Sequence, residues 1–507
     1  MSLIDKASLI QIPSGYKSTK LYSIEPTNGD GDFTFSRSSS GTRVNSEGLI
    51  ETASVLGSEL VTNGDFATDT DWTINDWSIS GGSLNGSAST GIVFQNPSGV
   101  VVGKTYKVTL EVKSYTSGSI RIKFGGSSYS NVASQVGVQE FYIQAVSTGG
   151  FLISVISSFT GSISSVSVKE VFENDVPRLD YSGGASCASL LLEPQRTNVY
   201  LNSEPISNEG PAGNISYVNT SFGLGFNNYT YYLDNSVDRY RYGGTCVATT
   251  EYTLSVFVIM DDNSSPNVSA SSSSGDFSII IANAPATSIS VTHYGNNIYR
   301  VIAKRTSGSS NLGNNGIVKY TGQSSVGFKA VGWQLEAGSY PTSYIPTSGS
   351  TVTRTADVCN NAGTSATFND SEGVLFFEGA LLDVSENDKR ISISDGSSLE
   401  NRILLRYLDD NQLQVELGYT SGFSEILNLS STSDYNKIAV VYDSTNASVF
   451  INGVKLVTNT MSALNGLSQL QFQRYAATSK EFVGKTKQLI YFDEALSDEE
   501  LATLTTL

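Results

Sequence analysis

The sequence predicts an all-β protein made of tandem antiparallel β-sandwiches, and three observations carry that expectation. First, the 507 residues are rich in Gly (47), Tyr (26) and Phe (22), while charged residues are only 16%. That mixture suits short strands and tight turns better than helices, which draw on Ala, Leu, Glu and Lys. Second, apolar residues recur with period two. Third, Gly, Ser, Asn and Asp clusters punctuate the apolar runs at turn spacing. A helical bundle is excluded by composition, and a disordered chain by an aromatic content of 10%.

In chain order, Tyr106, Val108, Leu110 and Val112 share one phase, and Lys107, Thr109, Glu111 and Lys113 the other. This is the signature of a half-buried antiparallel strand. Ile120, Ile122 and Phe124 repeat it, as do Leu254, Val256 and Val258, and then Val449 and Ile451. Turns are expected at Ser80-Gly-Gly-Ser83, Asp261-Asp-Asn-Ser264 and Asn452-Gly453. A helical turn is expected only at Ser497–Leu501, with Ser497 as cap and Glu500 at the capping-box position. Tyr106–Val112 and Tyr252–Val258 echo each other, and each precedes a strand that reads as the last of its unit, Val166–Glu170 and Val331–Glu336. Two related domains, 58–172 and 198–347, follow from that echo. A third, 365–507, begins at Gly373-Val-Leu-Phe-Phe-Glu-Gly379, after a linker at 348–364.

The net charge is −17. No Lys/Arg run exceeds two residues, which argues against nucleic acid or an anionic membrane as partner. Cys187, Cys246 and Cys359 lack metal-ligand spacing, and an odd count disfavours a disulfide framework, so reduced thiols are expected. The start of the chain lacks the pattern of a signal peptide. The longest apolar runs, Val256–Met260 and Ile438–Tyr442, fall far short of the roughly 20 residues of a membrane helix. A chain made in the cytoplasm, with no membrane insertion, is expected.

Three stretches resemble known families. Tyr435–Asp443, Ser448–Val454, Phe482-Val-Gly484 and Phe492–Leu501 resemble a laminin-G-like, concanavalin-A-like lectin domain. That family usually carries acidic residues before its last strand, where Lys487 and Gln488 stand here. Leu60-Val-Thr-Asn-Gly-Asp-Phe66 with Asp71-Trp-Thr73 is similar to the opening of jelly-roll carbohydrate-binding modules. Together these imply two jelly rolls followed by a concanavalin-A-like sandwich. The third set comprises Asp32–Ser38, Thr42–Ile50, Val176–Tyr181, Leu190–Asn198, Gly332–Pro346 and Thr353–Asp357. It resembles tailed-bacteriophage virion fibre or appendage proteins. In those proteins the segments ending at Ile50 and beginning at Val176 run almost together. The intervening residues therefore read as a jelly roll, 58–172, inserted into an N-terminal virion-attachment unit formed by 1–57 and 173–197.

The resemblance implies a non-enzymatic head or tail fibre located in the virion. It would contact other virion proteins through its N-terminal unit, bind cell-surface glycans and assemble as a homotrimer. A purely structural decoration protein and a polysaccharide depolymerase are the alternatives. Against catalysis, His293 is the only histidine, and no Gly-x-Ser-x-Gly elbow precedes it. The Glu-x-Asp-x-x-Glu spacing of glucanases on the lectin fold is also absent. Glycan sites pair aromatic platforms with planar polar groups. Trp72 and Trp77 are candidate platforms or, equally, plugs of the sandwich core; Trp333 reads as core. Tyr229, Tyr231, Arg239 and Arg241, amid Tyr232, Tyr240 and Tyr242, form a candidate glycan surface or a subunit interface. In the lectin-like region the candidates are Arg402, Tyr407, Arg474 and Tyr475. No cofactor is required, although a structural calcium would find carboxylates at Asp65, Asp69 and Asp71.

Overall fold

The structure is a computed structural model that describes residues 3–207, 215–397, 400–418, 422–473 and 481–507. It is all-β, with antiparallel sheets stacked as sandwiches and one α-helix among the described residues, Asp498–Thr505. The chain divides into two compact units, Ser54–Glu173 and the remainder.

Ser54–Glu173 is organised by two long strands, Thr105–Lys123 and Phe151–Phe172, paired antiparallel along most of their length. Their register shifts several times between Glu111 and Ile120. Such bulges bend and twist a strand, so that one strand can serve two layers of a sandwich. Tyr106, Val108, Leu110 and Val112 point into the core, as their alternation requires. Val55 pairs with Phe172, so both ends of this unit lie on neighbouring strands.

The remainder holds two sandwiches. In the first, a six-stranded sheet contains Glu251–Met260 flanked by Tyr299–Thr306 and Phe328–Ala337. It faces a four-stranded sheet containing Arg239–Tyr242, Gly316–Lys319 and Ser278–Ile281. The echo between domains extends to a hydrogen bond. The Tyr106 hydroxyl accepts from the Val101 amide at 2.7 Å, and the Tyr252 hydroxyl accepts from the Val247 amide at 3.0 Å.

The second sandwich packs an eight-stranded sheet against the five-stranded sheet containing Lys389–Ser394, Arg402–Tyr407 and Gln412–Leu417. Ser497 and Glu500 form the capping box of its helix, and Asn452 and Gly453 take positive φ at the hairpin turn.

Two segments read from sequence as separate are integral parts of this second sandwich. Ala7–Gln11 pairs with Gly484–Phe492, and Ser189–Leu192 pairs with the start of that same strand. Leu9, Leu21, Phe33 and Phe35 lie in its core, so residues 3–53 have no separate core of their own. The expected linker 348–364 is likewise structural. Val352–Arg354 pairs with Arg196–Asn198, and Val358–Asn360 pairs with Phe33–Ser36.

These segments meet at a buried ionic cluster. Arg37 Nη1 contacts Asp357 at 3.0 Å, Arg178 contacts both Asp357 and Glu193, and Arg354 Nη1 contacts Glu193 at 2.7 Å. Ser343 donates its amide (2.7 Å) and its hydroxyl (2.6 Å) to Glu193, and the Glu193 amide donates to Asp357 at 2.8 Å. Burial pushes the Glu193 carboxyl up, but Arg354, Arg178 and the Ser343 hydroxyl outweigh it and hold the group well below the usual carboxylate range. A carboxyl depressed in this way stabilises the fold above its unfolded value of about 4.3, and that stability is lost as pH falls toward its folded value. Glu193→Gln should therefore cost about 3–5 kcal/mol at neutral pH, the range for breaking a buried pair. It should also flatten the acid dependence below about pH 5. Denaturant unfolding at several pH values would read both effects, with the transition of 54–173 unmoved.

Candidate functional site

The structure turns most sequence-selected residues inward. Trp72 is 7% exposed and Trp77 is 8% exposed. The Trp72 indole packs edge-on to Phe151 at 6.1 Å and donates to the Asn63 carbonyl oxygen at 2.9 Å. Trp77 stacks on Phe159 at 5.4 Å. Both rings belong to the sandwich core and leave no open face for a sugar.

Tyr229 is buried, and Arg239 is held by Asp234 at 2.6 Å. Arg241 is 2% exposed, lies over the Tyr200 and Trp333 rings, and donates to the Asn202 carbonyl oxygen. The strand Arg239–Tyr242 points both arginines inward, so they do not form the exposed basic surface expected. Tyr231 stays partly open, with its hydroxyl donating to Asp261 at 2.7 Å; that bond pushes its pKa up to about 12. Tyr407 is wholly buried, and burial raises its phenol. Arg474 and Tyr475 lie outside the described residues.

Asp65, Asp69 and Asp71 do not converge. Asp65 accepts from the Ala67 amide and Asp71 from the Thr70 hydroxyl. No group of three metal-ligating side chains occurs among the described residues. His293 ends the exposed strand Ser288–His293, its ring 5.1 Å from Tyr299.

Of the candidates in the second sandwich of the larger unit, Arg402 marks a coherent surface. Ile403, Leu405, Tyr407, Leu413, Val415 and Leu417 face the core of the five-stranded sheet. By alternation, Arg402, Arg406, Gln412, Gln414 and Glu416 face away from it. Arg402 pairs with Glu416. Asp388 accepts from Arg390 Nε at 2.7 Å and from Arg406 Nε at 2.6 Å. Arg406 Nη1 donates to Gln414 Oε1 at 3.1 Å, and Gln414 Nε2 donates to Ser424 Oγ at 3.2 Å. Toward the middle of the sheet Arg390, Ser392 and Arg402 are buried. Toward its edge Ser424, Ile426 and Asn428 are exposed, and Gln412 and Gln414 are half-buried.

The open part of this face therefore offers oriented guanidinium and amide donors, carbonyl-type acceptors and one apolar side chain, Ile426. Groups of this kind, fixed on a rigid sheet, suit the paired hydroxyls of a sugar.

Sequence reasoning missed two exposed rings in Ser54–Glu173. Tyr142 is 64% exposed and lies near Lys107, and Tyr129 lies under the Arg121 guanidinium at 3.8 Å. The signal for Tyr142 was its phase. It alternates with core-facing Phe141 and Ile143 and shares the outer face with Glu140 and Gln144.

Residues 380–502 match the family model of the concanavalin A-like lectin/glucanases superfamily, of the laminin G type. No curated protein matches the chain. Among solved structures, similar ones include the CBM40 of a Ruminococcus gnavus IT-sialidase bound to alpha2,3 sialyllactose, with 17% identity, 27% of this chain and 84% of that one covered, and a TM-score of 0.25. Another is the NanB sialidase of Streptococcus pneumoniae (14% identity, 28% and 25% covered, TM-score 0.25). A third is the SAP-like pentraxin of Limulus polyphemus (13% identity, 27% and 70% covered, TM-score 0.22).

Because Trp72 is a core residue, Trp72→Ala should destabilise the 54–173 unit by about 3–5 kcal/mol. Urea unfolding of the full chain, followed by tryptophan and amide signals, would show one transition moved and the other unchanged.

Proposed function

We propose that the chain is a non-enzymatic virion appendage, a head or tail fibre of a tailed bacteriophage, that presents glycan-binding sandwiches. One observation carries this reading. The motifs that resemble phage appendage proteins supply Arg37, Arg178, Glu193, Ser343, Arg354 and Asp357, and these six meet in a single buried cluster. Motifs scattered over more than 300 positions of the sequence thus share a physical reason to occur together. The family match over 380–502 and the polar outer face of the same sandwich support glycan as the ligand class.

In this reading the chain needs no cofactor, resides in the virion after synthesis in the host cytoplasm, contacts other virion proteins and assembles as a homotrimer. Many weak sites on one particle then act together through effective concentration.

Burial of Trp72, Trp77, Tyr229, Arg239 and Arg241 favours a second reading, a decoration protein whose sandwiches serve assembly alone. A glycan array probed with the full chain separates the two. The appendage reading expects retention of defined host-surface polysaccharides without release of reducing ends. Arg406→Ala or Tyr142→Ala should weaken that retention at least tenfold; the thermal stability should change by no more than about 0.5 kcal/mol for Tyr142→Ala, as for a surface site, and by about 1 kcal/mol for Arg406→Ala, which loses its pair with Asp388. Absence of retention, with normal incorporation into particles, would favour the decoration reading.

A further inference from the structure

We propose that a cavity beside Arg300 is a second binding site, one that takes a single sugar ring carrying a carboxylate. The cavity measures about 220 Å³ and lies within the 1–53 and 174–507 unit, next to the ionic cluster. It is smaller than the roughly 300–1,000 Å³ pockets that hold drug-sized ligands. Phe257 and Tyr294 form its apolar wall, their rings perpendicular to within 15° at 5.3 Å. It shares Tyr294, Ser182 and Lys485 with an outer groove of about 660 Å³. A ring seated inside could thus be the end of a longer saccharide lying in the groove.

Arg300 supplies the charge argument. Its guanidinium lies over Phe257 at 5.5 Å. Nη2 donates only to neutral oxygens, Ser255 Oγ at 3.0 Å and the Thr342 carbonyl oxygen at 2.8 Å. Nε is buried without a hydrogen-bond partner, and no carboxylate among the described residues forms an ion pair with Arg300. The other charges that line the cavity are matched. Arg43 is paired with Glu51 at 3.0 Å, Lys485 with Asp180 at 2.9 Å, and Glu193 with Arg178 and Arg354.

A half-buried cation without a counter-charge raises the free energy of the empty site. A carboxylate is the planar anion that a guanidinium fork matches best. The apolar wall then selects a carboxylate attached to a ring over a small free acid. The choice of a sugar over another cyclic acid rests on the glycan-binding reading above.

The test is calorimetric titration of the full chain with glucuronic and galacturonic acids, the neutral sugars glucose and galactose, acetate, and an oligosaccharide ending in a uronic acid. Arg300→Gln and Tyr294→Ala serve as variants, and Lys20→Ala, at an exposed residue that lines neither the cavity nor the groove, is the control. The expected result is binding of at least one uronic acid that is sensitive to Arg300→Gln, and no neutral-sugar binding that is sensitive to Arg300→Gln. Arg300→Gln or Tyr294→Ala should cost at least tenfold, and Lys20→Ala should cost nothing. Tighter binding of the oligosaccharide than of the free acid would assign the ligand to a chain end; equal binding would assign it to the free sugar.

Should Arg300→Gln fail to fold, Tyr294→Ala and the loss of wild-type affinity between 50 and 500 mM NaCl carry the test, on the order expected for an ion-paired ligand. Equal binding of neutral sugars, affinity for acetate as high as for uronic acids, or no binding by the folded wild type would overturn the proposal. Uronic-acid binding through Arg300 in a protein that retains nothing on a glycan array would uphold this site while removing the sheet-face reading. Array retention lost on Arg406→Ala, with no uronic-acid binding, would do the reverse.

Discussion

The contact between Arg178 and its two carboxylates is the constraint on which the larger unit depends. Arg178 sits between Glu193 and Asp357, and Arg37 and Arg354 close the cluster from either side. Every member is buried, and the neighbouring backbone also takes part, with Glu193 and Ser343 donating their amides to it. Charges withdrawn from water in this way add little net stability compared with well-packed apolar groups, but removing one strands the others. The cluster therefore selects one arrangement of the chain. It fixes together the N-terminal segment, the segment that follows the insertion, the last strand region of the first sandwich and the strands at 352–360.

That arrangement explains how a third sandwich can interrupt the chain. Residues 54–173 leave and return on neighbouring strands, Val55 opposite Phe172, and they carry their own aromatic core. On either side of the insertion, Arg37 donates its amide to Asp175, and Asp175 donates its amide to the Arg37 carbonyl oxygen. The larger unit thus closes around the insertion point with its own hydrogen bonds. Binding residues placed on such rigid sheets lose little conformational freedom when a ligand arrives, which suits weak sites used in many copies.

Local pattern made the strands legible and left the partners hidden. Alternation at Tyr106–Val112 gave the correct inward phase, and Ser497 with Glu500 gave the capping box. Nothing local to Ala7–Gln11 could reveal that Leu9 would lie opposite Tyr491, because strand pairing across most of the chain leaves no mark at the strand itself. The Thr353–Asp357 stretch fell inside the expected linker because the Pro, Gly and Ser of 344–350 just before it mark a boundary. Its Arg354 and Asp357 are polar because the buried cluster requires opposite charges. The same effect hid the surface. Arg239 and Arg241 are turned inward toward Asp234 and the Asn202 carbonyl oxygen, while Tyr142 is turned outward by the phase of its strand. Charge and aromaticity were legible; which side of the sheet each would face depended on partners distant in sequence.

The central claim is that one ionic cluster couples segments hundreds of residues apart. Hydrogen–deuterium exchange of the full chain, compared between the wild type and Asp357→Asn, tests it most directly. The account predicts protection lost together at Phe33–Ser36, Ser189–Leu192, Phe328–Ala337 and Val358–Asn360, with Thr105–Lys123 and Phe151–Phe172 unchanged. Loss confined to Val358–Asn360, the strand next to the substitution, would contradict it.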